Sequence, residues 1–93
     1  MNIQHGHVNL NSGSATEILI DNGDEVRYSV SFTVQNIDAE ADVYIGNSGV
    51  TTTTYGIHLA PGAVASFENV PRNAPFYAVS SGNSTVAVMR IYS

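Results

Sequence analysis

VRYSVSFTVQN, residues 26–36, decides the fold. Val26, Tyr28, Val30, Phe32 and Val34 alternate without exception with Arg27, Ser29, Ser31, Thr33 and Gln35. Successive side chains of an extended chain point to opposite sides. A period of two held over this length therefore specifies a β-strand with one face in the core and one in water.

The same signal weakens but persists in both directions. Upstream, ATEILI (residues 15–20) places Thr16, Ile18 and Ile20 on one face, and Asp21-Asn22-Gly23-Asp24 separates it from the first strand. Asn-Gly tolerates the positive φ of a tight reversal, so a hairpin is expected there. Downstream, DVYIG (42–46) directs Val43 and Ile45 inward. Ile57–Ala60 and Val64–Val70 flank Ala60-Pro61-Gly62, where proline presets the first central position of a type II turn and glycine supplies the second. A hairpin is expected here too. After Pro71-Arg72-Asn73-Ala74-Pro75, residues 76–80 (FYAVS) read as a strand, and Ser81-Gly82-Asn83-Ser84 turns the chain into Thr85–Tyr92. That last strand sets Val86, Val88 and Tyr92 against Ala87, Met89 and Ile91. Apolar residues on both faces mean either a central strand or one whose outer face meets a partner.

No window repeats apolar residues at helical spacing. Short β-rich runs punctuated every eight to twelve residues or so define an all-β protein. The expected architecture is a compact, single-domain antiparallel β-sandwich or barrel of about seven strands, residues 14–93. Residues 1–13 (MNIQHGHVNLNSG) are polar and asparagine-rich, and form an extended N-terminal arm or an edge strand.

Composition narrows function. The 93 residues hold eight acids and three bases, all arginine, for a net charge of −5. A lysine-free acidic chain is badly equipped to replace phosphate counterions, so nucleic acid is not an expected partner. No apolar run is long enough to span a membrane, and the N-terminus has no basic segment or apolar core of a secretory signal. Without cysteine, disulfides, thiol catalysis and thiolate metal sites are all excluded.

Candidate chemistry is sparse. His5-Gly6-His7 sets two imidazoles on one face of an extended segment, a chelating spacing, with His58 or a carboxylate as a conceivable third ligand. Two terminal histidines are more simply solvated, and no metal site is expected. Asp21–Glu25 lacks the ligand spacing of a calcium loop and reads as a solvated turn. No nucleophile elbow, triad or carboxylate pair appears, so neither enzyme activity nor a cofactor is expected. The five tyrosines, unaccompanied by tryptophan, are more informative. Tyr28 belongs to the inward set, whereas Tyr55, in the threonine-rich stretch TTTTYG, is a candidate contact residue. An exposed Tyr55 could also serve a small carbohydrate-binding module.

Val43-Tyr44-Ile45-Gly46, Val50-Thr51, Leu59-Ala60-Pro61-Gly62, Phe76-Tyr77-Ala78-Val79-Ser80 and the closing strand Thr85–Ile91 together resemble small structural proteins of tailed bacteriophage particles. The resemblance covers roughly the last half of the chain and brings no catalytic residues. It implies a virion protein assembled in the host cytoplasm, foremost a capsid decoration protein on the phage head surface that binds the major capsid protein. A head–tail, collar or tail component is the alternative. Decoration proteins commonly sit on threefold axes, so the resemblance also implies a homotrimer. The residues expected to meet a partner are Ile3, Val8 and Leu10 of the N-terminal segment, Tyr55, and Met89 and Ile91 of the last strand.

Overall fold

The computed structural model describes residues 2–18, 29–71 and 76–92. Eight strands run through them: β1 (Asn2–Leu10), β2 (Thr16–Glu17), β3 (Ser29–Asn36), β4 (Val43–Gly46), β5 (Ile57–Leu59), β6 (Val64–Pro71), β7 (Tyr77–Ser80) and β8 (Ser84–Tyr92). They form two antiparallel four-stranded sheets, in the orders β1-β8-β3-β6 (sheet A) and β2-β7-β4-β5 (sheet B). The all-β sandwich expected from the periodicity is what the chain adopts.

The pairing has a simple logic. β1 lies beside β8, β2 beside β7, β3 beside β6, and β4 beside β5. The chain is one long antiparallel hairpin, with β4 and β5 at its tip, rolled until its halves close into two sheets through the β3–β8 and β4–β7 pairings. That is the jelly-roll topology, one of the ways all-β proteins keep free strand edges few.

Between the sheets lie Val30, Phe32 and Val34 of β3, Val43 and Ile45 of β4, Leu59, and Val86 and Val88 of β8, with Leu10, Ile18, Val70 and Ala78 completing the core. Phe32, fully buried, packs with Phe67 and Phe76 at ring-centre distances of 6.2 and 5.6 Å. Val26 and Tyr28, the turn at 21–24 and most of the 71–75 connector fall outside the described residues.

One connection differs from the sequence reading. β5 and β6 belong to different sheets and so are not a hairpin; β2 and β3 as described also lie in different sheets, and the expected reversal between them falls outside the described residues. The turn chemistry at residues 60–63 is nevertheless as read: the Ala63 N–H donates to the Ala60 carbonyl at 2.9 Å, and Gly62 has φ 84°. A type II turn reverses the chain without dictating which edge the next strand joins. Here it carries the chain from one sheet to the other.

The N-terminal segment is an edge strand, paired with β8 in unbroken register from Asn2↔Tyr92 to Leu10↔Ser84. Of the two readings its apolar faces allowed, the last strand takes the central one. It is central, between β1 and β3, and its outer face remains partly open.

Candidate functional site

The outer face of sheet A follows from register. On β1 the odd residues Ile3, His5, His7 and Asn9 point outward, opposite Ile91, Met89, Ala87 and Thr85 of β8. β3 adds Ser31, Thr33 and Gln35 alongside the same row, and β6 adds Ser66 and Val64. The result is an apolar strip on β8 between a histidine-bearing strand and a hydroxyl- and amide-bearing one. Ile3, Met89 and Val64 are 56%, 40% and 55% exposed, large values for side chains that gain from leaving water. Thr33 and Ser66 hydrogen bond at 3.1 Å, and Thr85 donates to Asn9 at 2.9 Å, so the polar flanks are internally tied.

The expected contact residues therefore separate. Ile3, Met89 and Ile91 share this face. Leu10, 3% exposed, belongs to the core, and Val8 packs against it. Even-numbered β1 residues face inward, so these two side chains act inside the fold rather than at a surface.

Tyr55 lies on the other sheet. Its loop, residues 47–56, joins β4 to β5 at the tip of the rolled hairpin and is built by its own polar groups. Asn47 accepts from Gly49 at 2.8 Å, Thr51 Oγ1 accepts from the Thr54 N–H at 3.0 Å, and the Thr51 N–H donates to the Thr54 carbonyl at 2.8 Å. Buried Val50 anchors the loop beneath Gly46. Tyr55 is thereby laid against Tyr44 with ring centres 4.8 Å apart. His58, the register partner of Tyr44 on β5, stacks on it at 4.9 Å with 13° between planes and lies 6.2 Å from the Tyr55 ring, so the three rings form one cluster. His58 Nε2 lies 3.1 Å from Asp42 Oδ1. Two phenols, an imidazole and a carboxylate thus form a half-exposed aromatic ridge. The sequence singled out Tyr55 and His58 but did not join them to Tyr44. The hidden signal is the β4–β5 register, which sets Tyr44 opposite His58.

His5 and His7 share the outer face of sheet A as their spacing predicts, while His58 sits on sheet B. Among the described residues no three histidine, aspartate or glutamate side chains converge. An apolar cleft of about 300 Å³ opens between the sheets, lined by Ile45, Ile57, Phe67 and Phe76 with Gly46 and Gly56. Asp38, in the β3–β4 connection, accepts the backbone N–H groups of Ala41 and Glu40, which hold its carboxyl below the ordinary aspartate range. No described helix is long and apolar enough to cross a membrane. Compared with protein-family models, curated proteins and solved structures, the chain matches none.

Proposed function

We propose that this protein works by contact rather than turnover, as a structural component of a bacteriophage particle. Its specific role is that of a capsid decoration protein that binds the major capsid protein of the assembled head. The observation that carries the reading is the jelly-roll pairing of β1 to β8 through β4 to β5, an architecture that recurs in viral capsid proteins and also in lectins and cupins. This support is an analogy of fold, and fold alone does not fix function. The phage-like pattern of the chain's second half adds to it, and the open apolar strip of Ile3, Met89 and Ile91 supplies a surface for the contact. A ligand that binds only the intact lattice stabilises it by RT ln(1 + [L]/Kd), so many weak copies are enough to protect a shell. Co-sedimentation with shells stripped of the protein tests this. The wild-type chain should pellet with them and Met89→Glu should not, with the variant's fold unchanged by circular dichroism. Wild-type chain left in the supernatant sinks the proposal; a collar or tail position is then the remaining virion role.

The Tyr44–Tyr55–His58 ridge favours a second reading, a small carbohydrate-binding module. Aromatic faces beside hydrogen-bonding groups suit a sugar ring, one apolar side and one hydroxylated. Binding on a glycan array that disappears with Tyr55→Ala would establish it; a blank array would remove it.

A further inference from the structure

We infer that the edge of β1, which no described strand covers, pairs antiparallel with β1 of a second copy about a twofold axis at Gly6, and that this joins His5 and His7 of both copies into a four-imidazole site for a divalent ion such as Zn²⁺.

The four sheet edges differ in how they are guarded. Proteins blunt exposed edges by making them short, bulging them, or placing charge or proline on them. β2 has two residues and β5 three. β6 carries a register shift opposite Val30/Phe32, a left-handed Asn69 with φ 55°, the charged Glu68, and Pro71 at its end. β1 has none of these. It is nine residues long, regular throughout, and free of proline and of formal charge. In a chain of net charge −5, two copies repel over most of their surface. An uncharged strand is where they can meet.

The register follows from two requirements. Both copies must present the core side of β1 in the same direction, so paired residue numbers must sum to an even value. Full overlap of Asn2–Leu10 with itself then selects a sum of twelve, arithmetic on the strand's bounds. Gly6 meets Gly6 of the second copy on the axis, and each His5 faces a His7. Glycine weakens a strand, and an added Cβ at Gly6 would meet nothing within 4 Å, so no packing inside this chain calls for it. Glycine within a strand often marks the close approach of another backbone, which the axis would supply.

His5 and His7 are exposed on the outer face. Directly opposed Cβ atoms in a ladder lie about 4.5–5.5 Å apart, and same-face neighbours along a strand about 6.6 Å apart. Four imidazoles on so small a rectangle form the nitrogen-rich set that zinc takes in four-coordinate sites. Each chain alone offers two of them, so the site is incomplete without the second copy. The sheet then becomes eight strands wide, and the two apolar strips lie on one continuous face.

Light scattering across micromolar concentrations tests the pairing, and it is independent of any particle. A dimer is expected, with Zn²⁺ lowering its dissociation constant by at least about tenfold through linkage. His5→Asn/His7→Asn should still dimerise but lose the response to Zn²⁺, and His5→Lys/His7→Lys should be a folded monomer. Because the chain has no cysteine, mixing His5→Cys with His7→Cys chains under mild oxidant should give the mixed disulfide in preference to either homodimer. A wild-type monomer, a trimer as the phage resemblance implies, or a dimer indifferent to Zn²⁺ would each overturn the inference. Failure to bind shells would leave it standing.

Discussion

The side-chain amide of Asn36 donates to the carbonyl of Leu59 at 3.0 Å, tying a central strand of sheet A to the edge strand of sheet B. The same nitrogen donates to the Ala41 carbonyl at 2.8 Å, and the amide oxygen accepts the Asp38 N–H at 3.0 Å. The Asn36 backbone completes the junction, donating to Ala63 and accepting from Gly62. One fully buried polar residue thus fixes both the β3–β4 and the β5–β6 crossovers.

Asn36→Leu keeps the branched shape, with somewhat more bulk, but strands two carbonyls and an N–H, and should cost about 2–4 kcal/mol in denaturant unfolding. That is a large part of the roughly 5–15 kcal/mol a domain of this kind has. Asn36→Asp is the sharper test. Its carboxylate would face the Ala41 and Leu59 carbonyls, so folding would favour the protonated acid and raise its pKa. The folded state then loses stability as pH rises above the ordinary aspartate value of about 3.9, and regains it on acidification. A variant whose stability relative to wild type does not change with pH contradicts this account of the junction.

Gly62 and Gly46 should respond to alanine for different reasons. Gly62 has a positive φ in open space, so Gly62→Ala should cost about 1–2 kcal/mol through the backbone alone, with Gly62→Asn milder. An added Cβ at Gly46 would stand 3.2 Å from Val50, so Gly46→Ala should push on the buried plug of the 47–56 loop. Amide exchange separates the two. Faster exchange confined to the Thr51 and Gly56 amides is expected of Gly46→Ala and not of Gly62→Ala.

Asp38 gives the wild-type chain a pH dependence of its own. Its pKa is lowered by the Ala41 and Glu40 N–H groups, so its contribution is present above the unfolded aspartate value and fades as pH falls through the folded one. Asp38→Asn should lower Tm in the neutral range and flatten its decline below about pH 4, so that the two chains converge in acid. An unaltered acid limb would show that these two hydrogen bonds contribute no net stability.

The aromatic ridge predicts a coupling rather than a single effect. In a double-mutant cycle, Tyr44→Ala and Tyr55→Ala should couple by about 0.5–1.5 kcal/mol, reflecting their tilted ring contact. Strict additivity would mean that the loop, not the ring pair, positions Tyr55.

Local signals in the sequence carried the strands, and non-local pairing stayed hidden. Alternation identified β3 and its inward Val30, Phe32 and Val34, and Pro61-Gly62 identified the turn type, because both are decided within a few residues. Whether that turn closes a hairpin or crosses between sheets depends on partners far along the chain, so the β5–β6 crossover was misread. β1 was ambiguous for the same reason: its stability comes from β8, at the opposite end of the chain. The outer face of sheet A was half legible. Ile3, Met89 and Ile91 stood out as apolar residues with no core partner in view, but their being neighbours, and the burial of Leu10, follow only from the β1–β8 register.

In the proposed role, this chain is a stoichiometric part of a phage particle. Quantitative mass spectrometry of purified particles from the source, counting the chain against the major capsid protein, tests it most directly. A high and fixed ratio that survives washing is expected, as a protein bound across the shell requires. A handful of copies would move it to a collar or tail position and contradict decoration. Its absence from intact particles would contradict the virion reading altogether.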